Sequence, residues 1–168
     1  MKKCQLNDVA GECIEKLKRG AFLTVKGGNK INTMTIGWGF VGIMWKKPTV
    51  ITAVRKSRYS NRLMQEAKDY TISFPSTDAL KKELAFCGSK SGRDVDKFKE
   101  TGLNIMPSYH VDSPIIKECN LFIEAKLVYR QEMDENLFYE QEQMAFYPTG
   151  VDHIYYFGEI VDIYQTNE

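Results

Sequence analysis

The chain has 168 residues, 43% apolar and 12% aromatic, enough to build a core within one domain spanning 1–168. Lys and Arg number 23 against 22 Asp and Glu; the formal net charge of +1 gives no global field suited to nucleic acid or an anionic membrane. Cys4, Cys13, Cys87 and Cys119 are irregularly spaced, with no Cys-x-x-Cys pair and only His110 and His153 to join them, which argues against a metal site and for reduced thiols. Met1 to Asp8 lacks an apolar leader and no segment approaches the length of a membrane span, so the expected location is the cytoplasm.

Val9, Cys13, Ile14 and Leu17 recur at helical spacing, and Gly20 stands where a left-handed residue would end that helix. Ala21 to Lys26 and Ile31 to Ile36 predict a hairpin closed by Gly27-Gly28-Asn29-Lys30. In Gly37 to Trp45, three glycines alternate with bulky apolar residues before Lys46-Lys47-Pro48 interrupts the pattern. Either the backbone approaches a flat aromatic ligand there, or a bulged strand turns a barrel corner with its tryptophans in the core.

Thr49 to Val54 reads as a buried strand, after which Tyr59, Leu63, Met64 and Ala67 take helical spacing. The junction, Arg55-Lys56-Ser57-Arg58-Tyr59-Ser60, concentrates three cations and two hydroxyls at a helix start. That composition suits a phosphate group, and equally an ordinary serine cap among solvated cations. Tyr70 to Phe74 is a strand stopped by Pro75, and Ser76, Thr77 or Asp78 caps a helix carrying Leu80, Leu84 and Ala85. Ser91 and Asp94 stand in the capping-box relation before Val95 to Phe98, a second cationic helix start. Gly102 to Pro114 carries few signals and is expected to wander over the surface.

Cys119 to Arg130 alternates, with Leu121, Ile123, Ala125, Leu127 and Tyr129 on one face and Asn120, Phe122, Glu124, Lys126 and Val128 on the other. An acidic loop from Glu132 and a short helical stretch through Phe146 lead to a last strand, His153 to Ile163. No repeat or linker divides the chain. The sum is a mainly β protein with inserted helices, an antiparallel sheet closed or split into a barrel. Dinucleotide, phosphate-loop, nucleophile-elbow and zinc-helix motifs are all missing, and no Cys/His spacing suggests a nucleophile.

Asn32 to Trp38, Trp45-Lys46-Lys47-Pro48, Val54 to Ser60 and Phe86 to Phe98, in that order, resemble the flavin reductase-like family and especially its flavoredoxin-type members; Tyr156 to Ile160 resembles the family's last strand. The resemblance runs from the first hairpin to Gly102 and resumes at His153. It implies an FMN-binding split β-barrel, usually a homodimer, accepting hydride from NAD(P)H and passing electrons to an acceptor; a carrier reduced by a protein redox partner is the alternative, and another phosphate ligand such as pyridoxal phosphate a third. Matched by position, Asn32, Thr33, Met34, Thr35, Ile36, Gly37 and Trp38 would run along the flavin ring. Arg55, Lys56, Ser57, Arg58, Tyr59 and Ser60 would meet the phosphate and ribityl chain, and Cys87, Gly88, Ser91, Gly92, Arg93, Asp94 and Lys97 would form the second wall. The resemblance also tips the glycine-rich bend that begins at Gly37 toward the ligand, leaves Trp45 in the core and sets His153 near the reactive side of the ring, a candidate catalytic residue.

Overall fold

Helix α1 (Leu6–Leu17) follows a two-residue strand, β1 (Lys2–Lys3). The computed structural model describes residues 1–76, 78–139, 141–150 and 152–166. Leu6, Val9, Cys13 and Leu17 are buried in α1, while Ile14, expected on the same stripe, points outward and is 50% exposed. Gly20, at φ +104°, turns the chain after the helix and its N–H closes on the carbonyls of Lys16 and Leu17.

The hairpin forms as the sequence predicts: β2 (Ala21–Gly27) and β3 (Lys30–Ile36) pair antiparallel around Gly28-Asn29, with Gly28 at φ +56°. A second hairpin replaces the expected barrel corner. β4 (Gly39–Met44) pairs with β5 (Lys47–Arg55) through a two-residue turn, Trp45-Lys46, whose residues both have positive φ. Trp45 is therefore not a core residue: it sits at the turn and is 58% exposed. Nor does Pro48 break the strand; it pairs with Ile43 on the sheet-edge strand β4.

After helix α2 (Tyr59–Met64) come β6 (Asp69–Phe74), helices α3 (Lys81–Ser89) and α4 (Lys97–Thr101), the short pair β7 (Ile105–Met106) and β8 (Ile115–Ile116), and the long strands β9 (Leu121–Glu132) and β10 (His153–Gln165). The main sheet runs β3-β2-β6-β9-β10-β5-β4, with β1 beside β10, and every pairing is antiparallel. Its ends, β3 and β4, leave a split barrel, with the main core inside: Leu23, Val25, Val54, Tyr70, Ile72, Ile123 and Tyr156 among others.

A second cluster, Phe22, Leu84, Ile115, Ile116, Phe122 and Tyr164, packs α3 and the β7–β8 segment on the outside. This cover explains why β9 has no solvated face over its first half: Phe122 and Glu124, assigned to the polar side by alternation, are as buried as Leu121 and Ile123. Nor does the stretch before Pro114 wander. Glu124 accepts from the N–H groups of Tyr109 and His110 at 2.7 Å and from the Tyr164 hydroxyl at 2.6 Å. Asp69 accepts from Asp112 N–H at 3.1 Å and Ser113 N–H at 2.9 Å. Among the described residues no helix is long and apolar enough to cross a membrane, and no cluster of metal-ligating side chains occurs.

Candidate functional site

β5 delivers Arg55 to the start of the site, opposite His153 on β10. The chain then turns, with Arg58 N–H bonded to the Arg55 carbonyl, and enters α2, only six residues long. Neither Ser57 nor Ser60 caps this helix: its N-cap is Arg58, which makes no side-chain cap bond. Ser60 is fully buried and accepts a hydrogen bond from Asn32 Nδ2 at 2.8 Å, tying the turn to β3. Asn61, which the sequence does not single out, donates to the Lys56 carbonyl at 3.0 Å and accepts from the Tyr156 hydroxyl at 2.5 Å.

The opposite wall is the segment from α3 to α4. The expected caps do not form here either. α3 starts at Lys81 behind a left-handed Leu80, Asp78 instead pairs with Lys81, and Thr77 lies outside the described residues. α4 is capped by Asp96, whose carboxylate accepts from Phe98 and Lys99 N–H, while Ser91 Oγ accepts from Arg93 N–H. Cations hold this wall to the other. Arg58 donates to the Gly88 carbonyl at 2.6 Å, and Arg93 to the Ser57 carbonyl at 3.0 Å while lying 5.3 Å from the centre of the Tyr59 ring.

Lys97 is buried beneath them, its ammonium donating to the carbonyls of Thr33 at 2.9 Å and Cys87 at 2.7 Å. Burial lowers its pKa from 10.5 to about 8; the neighbouring Cys87 opposes this shift and Arg58 adds to it. Desolvation pushes the Cys87 thiol the other way, up to about 11, so it is not a thiolate at neutral pH.

Between these walls lies a hollow of about 470 Å³ lined by Asn32, Met34, Tyr59, Gly92, four serines, Ser57, Ser60, Ser89 and Ser91, and five cations, Arg55, Arg58, Lys90, Arg93 and Lys97. Among the described residues no carboxylate lines it. Gly92 lets the backbone come close, since a Cβ there would stand 2.0 Å from Asn32 Oδ1. A second hollow of about 160 Å³, lined by Met34 to Trp38, Ala53, Arg55, Arg58 and His153, shares Met34, Arg55 and Arg58 with the first. The two form one cleft with a cationic end and, past the shared arginines, an end walled by the apolar Ile36, Trp38 and Ala53.

At the apolar end His153 stacks on Trp38, ring centres 4.8 Å apart and planes 28° off parallel, with Tyr147 edge-on at 5.5 Å. Its Nδ1 is buried without a hydrogen-bond partner among the described residues and stands 3.8 Å from Asp152. Desolvation, with the charges of Arg55 and Arg58, lowers its pKa against the opposing pull of Asp152, which favours a neutral imidazole. Arg55 is already engaged, with Asp152 at 3.2 Å, the Phe146 carbonyl at 3.2 Å and the Tyr147 ring at 5.9 Å.

Most of the residues singled out from sequence meet in this cleft, and five do not line it. Lys56 points away to Glu132, Thr33 and Cys87 contribute carbonyls behind the wall, Gly88 offers its carbonyl to Arg58, and Asp94 lines the neighbouring hollow beside Asp96. Ser89, Lys90, Ala53 and Tyr147 were missed. The first two lie in the stretch Phe86 to Phe98 that carries the family resemblance; nothing in the pattern points to the other two.

A model of the flavin reductase-like domain matches residues 19–168. The chain belongs to that family. An uncharacterized protein of Archaeoglobus fulgidus is 28% identical over 142 residues, which is 84% of this chain and 70% of that one. Among solved structures, flavoredoxin of Desulfovibrio vulgaris has a TM-score of 0.70 at 25% identity, covering 88% of this chain and 69% of that chain. A putative flavin reductase with a split barrel domain from Shewanella frigidimarina reaches a TM-score of 0.71 at 18% identity over 98% of this chain and 76% of its own, a likeness of fold. Both walls of the cleft lie within the segment matched to the flavin reductase-like family; β1 and α1 precede it.

Proposed function

We propose that residues 1–168 form one FMN-binding domain, a cytoplasmic NAD(P)H-dependent flavin oxidoreductase. The observation that carries this reading is the cationic end of the cleft: five cations and four serines line one hollow, and among the described residues only Arg55 of the five pairs with a carboxylate, that of Asp152, which does not line it. Such a site favours a dianionic phosphate ester. The residues fit FMN: Ser57, Arg58, Ser91, Arg93 and Lys97 would hold the phosphate, the close approach at Gly92 leaves room for the ribityl chain, and Met34 to Trp38 would flank the ring. When bound, the flavin supplies the two-electron chemistry.

The chain's own part is to bind, orient and exclude water. Trp38, stacked on His153, shields the apolar end. A buried imidazole stacked on Trp38 and held toward its neutral form suits a positioning residue for Trp38 better than an acid or base. This reading also removes the need for a side-chain dyad, since hydride transfer requires none.

We further propose a homodimer. Phe40 on β4 is 59% exposed and with Tyr155, Phe157, Tyr129 and Trp45 forms an aromatic face beside the open edge of the sheet, while Ile43, 68% exposed, stands on the other side of the same edge strand; an edge apolar on both sides is of the kind a second copy covers. Sedimentation should give twice the chain mass, and Phe40→Glu with Ile43→Lys the single mass; a monomeric parent protein refutes it.

The visible spectrum tests the function. Protein mixed with FMN and freed of excess should be yellow, and anaerobic NADPH or NADH should bleach it. Protein that takes up no FMN overturns the cofactor. Protein that binds FMN but is bleached only by a protein donor is a carrier instead.

A further inference from the structure

A second cavity, about 590 Å³, opens between the end of α1 and the face of α3. Pro75, Ala79, Leu84 and Ala85 make most of its wall apolar. Its volume lies within the range of small-molecule sites, which pair an apolar lining with few polar groups.

The cavity is kept open by the backbone. Asp78 and Leu80 both take left-handed φ, +65° and +57°, a conformation a leucine adopts only where its surroundings enforce it. The consequence is that Leu80, the largest apolar side chain of this loop, packs into the second core cluster and not into the cavity. Gly20 acts in the same sense, because a Cβ there would press on Thr35 at 3.0 Å and Leu84 at 3.6 Å.

Three cations stand at the rim against one acid. Lys16 is committed to the Pro75 carbonyl, Asn120 and Glu12, and Lys81 to Asp78 at 2.7 Å. The guanidinium of Arg19 makes no hydrogen bond or ion pair among the described residues, although its charge reaches Asp78 and Glu15. An apolar chamber with one uncommitted forked donor at its mouth matches a particular ligand chemistry.

We infer that this cavity binds an organic anion with an apolar body the size of a fused ring, its carboxylate held by Arg19. The inference does not rest on the flavin reading: Thr35 lines both this cavity and the flavin cleft, but Arg19, Ala79 and Ala85 lie outside the cleft.

Titration calorimetry of the whole chain with naphthoate and with naphthalenemethanol, equal in ring and different in charge, tests it. Naphthoate is expected to bind one-to-one and about tenfold more tightly than the alcohol, the margin of one charge-assisted hydrogen bond. Arg19→Gln should remove that margin and leave the alcohol unaffected. Ala85→Trp, which fills the cavity from an exposed position on α3, should abolish binding of both, and Ala79→Phe replaces it if its melting temperature falls. Naphthoate that binds without saturation, binds the alcohol's way with equal affinity, or persists in a filled variant that still melts like the parent protein overturns the inference.

Discussion

The two ends of the cleft are built from different materials. The cationic end comes from a turn, a loop and two short helices, and side-chain bonds to main-chain carbonyls hold it: Arg58 to Gly88, Arg93 to Ser57, Lys97 to Thr33 and Cys87. The apolar end rests on β3, β5 and β10, whose strands are braced by the sheet. Charge gathers where the backbone is irregular because loop carbonyls, and that of Thr33 on an edge strand, are free to solvate buried cations. A planar slot needs the stiffness of paired strands. The cationic end should therefore set affinity, and the apolar end should govern what happens to a ligand once held.

Arg58→Ala should break the comparison most severely. Arg58 reaches both hollows, and its loss should weaken FMN binding by about 1.5–3 kcal/mol while barely affecting riboflavin, which lacks the phosphate. Arg55→Ala should cost less, because that guanidinium is already shared with Asp152 and the Phe146 carbonyl. Equal losses for FMN and riboflavin in a fluorescence titration would refute the division.

Lys97 comes next. Its ammonium is charged below a pKa of about 8 and neutral above it. FMN affinity should fall several-fold as pH rises through that value, and Lys97→Met should be weak throughout with the step removed. The same displacement gives a sign for stability. The folded pKa lies below the unfolded 10.5, so the unfolded chain binds the proton more tightly between about 8 and 10.5, and this group's contribution to stability rises with pH across that window. A flat affinity profile would show that Lys97 does not face the phosphate.

The smallest effect on affinity is expected at the apolar end. His153→Phe keeps a ring against Trp38 and should change FMN affinity by no more than about twofold. Stopped-flow bleaching by NADPH should slow if the ring's exact seat matters, yet keep the parent protein's pH profile across the neutral range, because the imidazole is neutral there. An altered profile would make His153 an acid or base.

The sequence reveals the sheet well because hairpins and alternation are local: Gly28-Asn29 closes β2 to β3 as predicted, and β5, β6, β9 and β10 lie where the β-branched runs place them. What failed depends on neighbours distant in sequence. Trp45 looks like a core residue until β4 is seen to be an edge, and Phe122 and Glu124 look solvated until α3 and the loop before Pro114 cover them. Capping failed differently. Several candidate oxygens compete at each helix start, and long-range bonds decide among them: Ser60 is drawn to Asn32, leaving α2 without a side-chain cap. The burial of Lys97 has no local signature at all.

Asp69 and Glu124 give the loop they hold a thermodynamic identity its shape conceals. They sit on adjacent central strands, β6 and β9, where Thr71 pairs with Glu124 and Asp69 with Lys126. The amides of Tyr109, His110, Asp112 and Ser113 are therefore anchored to the middle of the barrel wall and not to a ladder of their own. This surface segment should therefore open together with the sheet centre, its amides exchanging as slowly as those of β6 and β9.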